Sequence, residues 1–228
     1  MGDYDVLLKI FMICCHYITN LLRNGNLLEM GDEIGNNTSG DLVKQLDLDA
    51  NNYIKNTLLN CNLVKAITSE EEEVILYSRF KNAPYMISFD PIDGSSNIKS
   101  NITVGTIFGV YKYDNNNNII SGRNLFMSAY SLYGSSSQIM VSKLNNVSLY
   151  SLINKEYKLI KDNIIIPNKG KIYAINESNK HIYTDSKLNK FIDTLIKNKY
   201  TQRWVGSLVA DAHRTILQGG VFIYPANM

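Results

Sequence analysis

The chain has 228 residues, 45% hydrophobic and 19% charged, a length at which folding buries roughly 70% of the unfolded surface without disulfides or zinc. Twenty-three Lys and Arg against 21 Asp and Glu leave a formal charge of +2, too even a balance for a nucleic-acid binder that works through a concentrated basic face. A soluble globular protein of one large or two small domains is expected.

The first predicted element is an amphipathic helix, with apolar residues at Val6, Leu7, Ile10, Cys14, Tyr17, Ile18, Leu21 and Leu22 and Gly25 near its end. Its uncharged stretch, Ile10 to Leu22, includes His16, Thr19 and Asn20 and is too short and polar to span a bilayer. Asp3 and Asp5 have the wrong sign for a signal or transit peptide, so a cytoplasmic setting is expected. Cys14, Cys15 and Cys61 form an odd set without CxxC spacing and read as buried apolar side chains.

A second helix is predicted over Leu42–Leu58, with Ser39 as N-cap and Asp41 at the positive end of its dipole. On residue type alone, Asp47 and Asp49 on it are solvated surface carboxylates. Short strands follow at Leu63–Ile67, Val74–Tyr77 and Tyr85–Phe89, then a β-rich stretch over Thr103–Tyr113 and a hairpin loop at the Asn115–Asn118 run. Arg123–Tyr133 reads as a helix closed by Gly134, and Ile139–Ser142, Val147–Leu152, Tyr157–Ile160 and Ile164–Ile166 as an antiparallel meander. The polar turn Pro167–Gly170 marks a boundary, giving domains 1–169 and 170–228. Beyond it come a strand at Lys171–Ile175, helices at Ser186–Asn198 and Ser207–Gln218, and a strand at Val221–Tyr224. So short a second unit must lean on the first or be incomplete.

Two carboxylate clusters, Glu70-Glu71 and Asp90/Asp93, each follow a predicted strand, where loops collect site residues. Converging carboxylates repel unless neutralised, and oxygen donors without His or Cys suit Mg2+ or Mn2+ better than zinc. Alone, the Glu run reads as a solvated surface loop. Asp90-Pro91-Ile92-Asp93-Gly94-Ser95-Ser96 is more specific: Pro91 fixes φ, Gly94 permits close backbone approach, and Ser95, Ser96 and nearby N–H groups offer donors to a phosphate oxygen. Cations beside an anion-binding turn imply phosphoryl chemistry. His213 stands two residues from Asp211 on a predicted helix, off its face, and reads as structural. Nothing marks His16 or His181 as ligands.

Asp90-Pro-Ile-Asp-Gly-Ser resembles the signature of the Mg2+-dependent, lithium-sensitive phosphomonoesterases. The strings SGDLVKQLD, SFDPIDGSSNIKSNITVGTIFGVY, KGKIYAINESN and RWVGSLVADAHRTILQGGVFIYPAN, in that order, resemble the fructose-1,6-bisphosphatase family, class I. The resemblance implies an α+β, layered α-β-α-β-α sugar phosphatase fold: an N-terminal domain with a mixed or antiparallel sheet, and a partial C-terminal α/β domain. It implies that Glu70, Glu71, Asp90, Asp93 and the Ile92 carbonyl hold Mg2+ or Mn2+. Asp47, with Glu71, would orient and deprotonate the attacking water, and Asp41 would assist. Gly94, Ser95 and Ser96 would hold the 1-phosphate and Asp93 the sugar. Asn176, Arg203, Leu208 and Tyr224 would bind the sugar and 6-phosphate, Arg203 reaching into a neighbouring subunit of a homo-oligomer. No nucleic-acid or membrane partner is implied.

The expected activity is hydrolysis of the 1-phosphate of fructose 1,6-bisphosphate in carbohydrate metabolism. A sedoheptulose-1,7-bisphosphatase and an impaired relative that binds sugar phosphate or a homologous subunit are the alternatives. The family pattern is not matched everywhere. The chain begins at what resembles the family's second helix, Pro84 stands where a Lys of the AMP site is expected, Lys99 replaces an acidic residue, and Trp204 replaces a Tyr. The family's later Lys strand and Glu helix do not follow Pro225-Ala226-Asn227. The expectation is therefore a chain truncated at both ends and insensitive to AMP.

Overall fold

A computed structural model describes residues 2–36, 42–113, 122, 125–143, 146–182 and 186–225. The expected Asn115–Asn118 loop, Ser39, Asp41 and Arg123 lie outside them.

Helix α1 (Asp3–Asn24) ends at Gly25 and buries Leu7, Leu8, Phe11, Cys14, Cys15 and Ile18. By length and composition alone this helix could cross a membrane, which corrects the reading of its apolar stretch as too short. Its apolar face is instead buried in the core, where Phe11 stacks on Phe108 with centroids 4.3 Å apart. All three cysteines are free and buried. After the short α2 (Leu27–Met30), strands β1 (Glu33–Asn36) and β2 (Leu42–Lys44) pair antiparallel. Helix α3 (Gln45–Leu59) thus begins three residues later than the periodicity predicts. Its first turn is fixed by Asp47, whose carboxylate accepts the Lys44 N–H at 2.7 Å, an N-terminal bond that the expected Ser39 cap would have placed further back.

The remaining strands are β3 (Val64–Ser69), β4 (Leu76–Tyr77), β5 (Tyr85–Asp93), β6 (Val104–Lys112), β7 (Leu125–Tyr133), β8 (Ser137–Lys143), β9 (Asn146–Ile153) and β10 (Glu156–Lys161). They form one sheet in the order β10-β9-β8-β7-β6-β5-β3-β4, antiparallel except for the parallel β3–β5 pair. The predicted helix at Arg123–Tyr133 is therefore a strand. Its buried residues Met127, Ala129, Ser131 and Tyr133 alternate at period two, and its edges pair with β6 and β8, a tertiary ladder that overrides the helix-forming Leu, Met and Ala. The predicted strand at Ile164–Ile166 is also absent. Only the Ile164 N–H reaches Val147, between Asn163 at φ 53° and the donorless Pro167.

Strands β11 (Ile172–Ala174), β12 (Thr201–Gln202) and β13 (Val221–Phe222) form a second, parallel sheet with β11 central. Helix α4 (Ser186–Lys197) covers one face through Ile192 and Leu195 against Tyr173 and Ile175. Helix α5 (Leu208–Gln218) lies between the two sheets: Ile216 and Leu217 pack with Met140, Leu149 and Tyr130 of the large sheet, on the face opposite Met127 and Ala129. The layers run α1/α3, large sheet, α5, small sheet, α4, the expected five-layer α+β fold. Helix α5 thus packs against both sheets.

Candidate functional site

The site grows from an irregularity in β5. Asp90 and Asp93 differ by an odd number of residues, so in a regular strand their side chains would face opposite sides. Asp90 pairs with Ile107 and Asp93 with Gly105, three steps on β5 against two on β6. One extra residue is thus accommodated as a bulge at Pro91-Ile92, which re-aims the strand. Pro91 has no N–H to lose there, and its carbonyl accepts the Thr106 hydroxyl at 2.8 Å. The motif read from sequence as a turn is this bulged strand end followed by Gly94 and a short 3-10 helix over Ser95–Ser100. Gly94 sits at φ 79°, where a Cβ would also come within 2.8 Å of the Ser207 Cβ, so both conformation and proximity require glycine.

The bulge opens onto a cleft of about 710 Å3 lined by Asp47, Glu70, Glu71, Asp90, Ile92, Asp93, Gly94, Ser95, Ser96, Leu208 and Tyr224. Two of the expected residues do not line it. Arg203 is exposed, its guanidinium donating to the neighbouring Gln202 carbonyl at 3.0 Å, and Asn176 accepts the Ser178 hydroxyl beyond the end of β11. Lys44, Glu33, Lys99, Trp204 and Gly206 also line the cleft; of these only Lys99 and Trp204 drew notice in the sequence, as departures from the family pattern. Lys44 is buried and paired with Glu33 at 2.9 Å. A lysine in a helix-like stretch gives no sign of that role.

Asp47 is 3% exposed, which corrects its reading as a surface carboxylate. Burial pushes its pKa up to about 7, helped by the charges of Glu71 and Glu70 and opposed by the Lys44 N–H. Burial, with the charges of Glu70, Asp93 and Asp47, pushes Asp90 up to about 8. The Glu run is not simply a solvated loop. Glu72 accepts Asn51 at 2.8 Å and Lys55 at 2.5 Å from α3, while the Glu71 N–H donates to the Ser69 hydroxyl; Glu70 and Glu71 line the cleft, and of the four glutamates only Glu73 is exposed. Asp93 is engaged differently. Its carboxylate accepts the Ser207 hydroxyl and the Leu208 and Val209 N–H groups at 3.1 and 3.0 Å, at the start of α5.

Among the described residues no three acidic, His or Cys side chains converge closely enough to form a ready metal cluster. The donor chemistry still fits a hard divalent cation. Six carboxylates line one cleft, Glu33 paired with Lys44 among them, and two, Asp47 and Asp90, are driven toward neutrality by burial and repulsion from their neighbours, a cost that bound cations would offset.

The family model described as "Fructose-1-6-bisphosphatase, N-terminal domain" matches residues 1–161, and that described as "Fructose-1-6-bisphosphatase, C-terminal domain" matches residues 166–228. The chain belongs to the fructose-1,6-bisphosphatase family. It is 40% identical over 198 residues to the class 1 fructose-1,6-bisphosphatase of Sulfurihydrogenibium sp., covering 84% of this chain and 61% of that one. To the class 1 enzyme of Persephonella marina it is 37% identical, covering 99% and 73%. The Leishmania major fructose-1,6-bisphosphatase in holo form superposes with a TM-score of 0.91 at 32% identity, covering all of this chain and 75% of that one. The chain thus spans between about three-fifths and three-quarters of the length of these relatives.

Within that family frame the noted departures acquire positions. Lys99 extends from the 3-10 helix to pair with Asp32 at 2.9 Å, and Trp204 stands on the cleft wall beside Gly206.

Proposed function

We propose that this chain hydrolyses the 1-phosphate of fructose 1,6-bisphosphate to fructose 6-phosphate and inorganic phosphate in a Mg2+-dependent reaction, with Mn2+ as a substitute. One observation carries the reading: the β5 bulge turns Asp90 and Asp93 into a single cleft with Glu70, Glu71 and buried Asp47, in a chain of this family. Glu70, Glu71, Asp90, Asp93 and the Ile92 carbonyl would hold the cations. When bound, they lower the pKa of a water and neutralise the charge on the leaving oxygen. Asp47, with Glu71 beside it, takes the proton of the attacking water; a basic form near neutral pH is consistent with its raised pKa. The N–H groups after Gly94 and the hydroxyls of Ser95 and Ser96 hold the phosphate, and Leu208 and Tyr224 form the wall for the sugar.

The same reading divides the chain into domains 1–169 and 170–228, places it in the cytoplasm like the relative from Arabidopsis thaliana named cytosolic, and assembles it as a homo-oligomer. The exposed position of Arg203, outside its own cleft, supports its use in a partner's site. A second reading, sugar-phosphate binding without turnover, draws on the engagement of Asp93 by α5. Mn2+ binding followed by electron paramagnetic resonance, together with phosphate release from fructose 1,6-bisphosphate and sedoheptulose 1,7-bisphosphate, separates these readings. Cation binding with faster release from the fructose ester is expected; binding without release favours the second reading, and no cation binding overturns both.

A further inference from the structure

Three hydrogen bonds join the start of α5 to Asp93 at the end of β5. Ser207 caps the helix: its hydroxyl oxygen accepts the Ala210 N–H at 3.3 Å and its proton goes to Asp93. The first free N–H groups of the helix, those of Leu208 and Val209, complete the grip on Asp93. Gly94 and Gly105 let the helix approach, since a Cβ on Gly105 would stand 2.1 Å from Val209 Cγ2.

One turn further on, the helix holds the opposite wall. Asp211 is fully buried; its carboxylate accepts the Val205 N–H at 3.0 Å and pairs with Arg214. Arg214 in turn donates to the Arg203 carbonyl at 2.8 Å. Asn97 adds a bond to the Val205 carbonyl at 3.2 Å from the 3-10 helix. The segment from Arg203 to Gly206, which puts Trp204 and Gly206 on the cleft, is thereby fixed relative to the same helix that holds Asp93.

We infer that Ser207 and Asp211 are positioning residues through which one helix, α5, sets both halves of the site, Ser207 orienting the Asp93 carboxylate for a cation and Asp211, with Arg214, holding the wall that receives the sugar phosphate. The inference rests on the function proposed above. Neither side chain needs to touch the reacting atoms. Ser207 acts as an outer partner of a cation ligand, a place where loss of one hydrogen bond weakens metal binding without removing a ligand. Asp211 acts through backbone, because its partners are the N–H of Val205 and the guanidinium that grips the Arg203 carbonyl.

The test measures two equilibria on the 228-residue chain: Mn2+ binding by electron paramagnetic resonance, and fructose 6-phosphate binding by calorimetry with Mn2+ saturating. Ser207→Ala is expected to weaken Mn2+ binding about ten-fold, with Ser207→Thr restoring it and both variants keeping the wild-type sugar-phosphate affinity. Asp211→Asn and Arg214→Gln are expected to weaken fructose 6-phosphate binding about ten-fold, the loss of one charge-assisted hydrogen bond, and to keep the wild-type Mn2+ affinity. The inference is overturned by wild-type Mn2+ binding in Ser207→Ala, by wild-type sugar-phosphate binding in both wall variants, or by variants that weaken both equilibria together, as general loosening of the helix would. A wild-type chain that binds no Mn2+ removes the proposed function itself; a wild type that binds both ligands beside unaltered variants removes this inference alone.

Discussion

Asp47 and Asp90 carry the clearest consequence at the scale of single residues. Both carboxyls titrate far above the ordinary 3.8, near 7 and near 8, chiefly because they are buried beside other carboxylates. An acid whose pKa is raised on folding gives the folded state more bound protons than the unfolded chain. Stability of the metal-free protein is therefore expected to fall as pH rises from about 4 to about 8. Thermal melts in EDTA across that window check this, and added Mg2+ is expected to flatten the fall by holding the carboxylates ionised. Asp90→Asn is expected to reduce the slope in EDTA; a melting temperature that rises with pH would contradict the stated burial. Asp93→Ala is expected to lose activity and weaken cation binding together. It also removes the acceptor for three donors at the start of α5, so a lower melting temperature is expected as well. The acidic and Gly-Ser character of this cleft was legible in the sequence because Asp90-Pro-Ile-Asp-Gly-Ser-Ser carries its chemistry in adjacent residues. The hold of α5 on Asp93 was not, since Ser207 is 114 positions away and nothing local distinguishes it from any helix cap.

Among the elements, β5 and α5 decide the geometry. Gly105 lies where α5 crosses the large sheet, and a methyl group there would collide with Val209 and with the Ser131 carbonyl. Gly105→Ala is expected to cost about 2 kcal/mol of stability, as overpacking does, in a denaturant melt; no loss would mean that α5 is not seated as described. Strands with clean alternation and polar turns, such as β8 and β9, could be read from the chain alone, and so could α1 and α4 with their apolar stripes. Strand β7 could not, because Leu125, Met127 and Ala129 are good helix formers and only pairing with β6 and β8 fixes the period at two. The start of α3 was misplaced for a related reason: Leu42 and Val43 continue its apolar spacing, yet the strand pair with β1 takes them. Two-residue strands such as β12 leave no periodicity to read.

For the whole molecule, the five layers explain why neither half of the site stands alone. The carboxylates come from the large sheet and α3, the Trp204 and Gly206 side of the cleft from the segment before α5, and α5 packs against both sheets. Its buried His213, whose Nδ1 lies 3.0 Å from the Tyr130 hydroxyl and whose pKa burial lowers, belongs to that packing, as the sequence suggested. The central claim is that this assembled cleft is a cation-dependent sugar bisphosphatase. Its most direct test is phosphate release from fructose 1,6-bisphosphate by the 228-residue chain as Mg2+ is titrated, with Asp93→Ala as control. The expected result is stoichiometric phosphate and fructose 6-phosphate that appear only with Mg2+ and not in the variant; release that is independent of Mg2+, or undiminished in Asp93→Ala, would contradict the account.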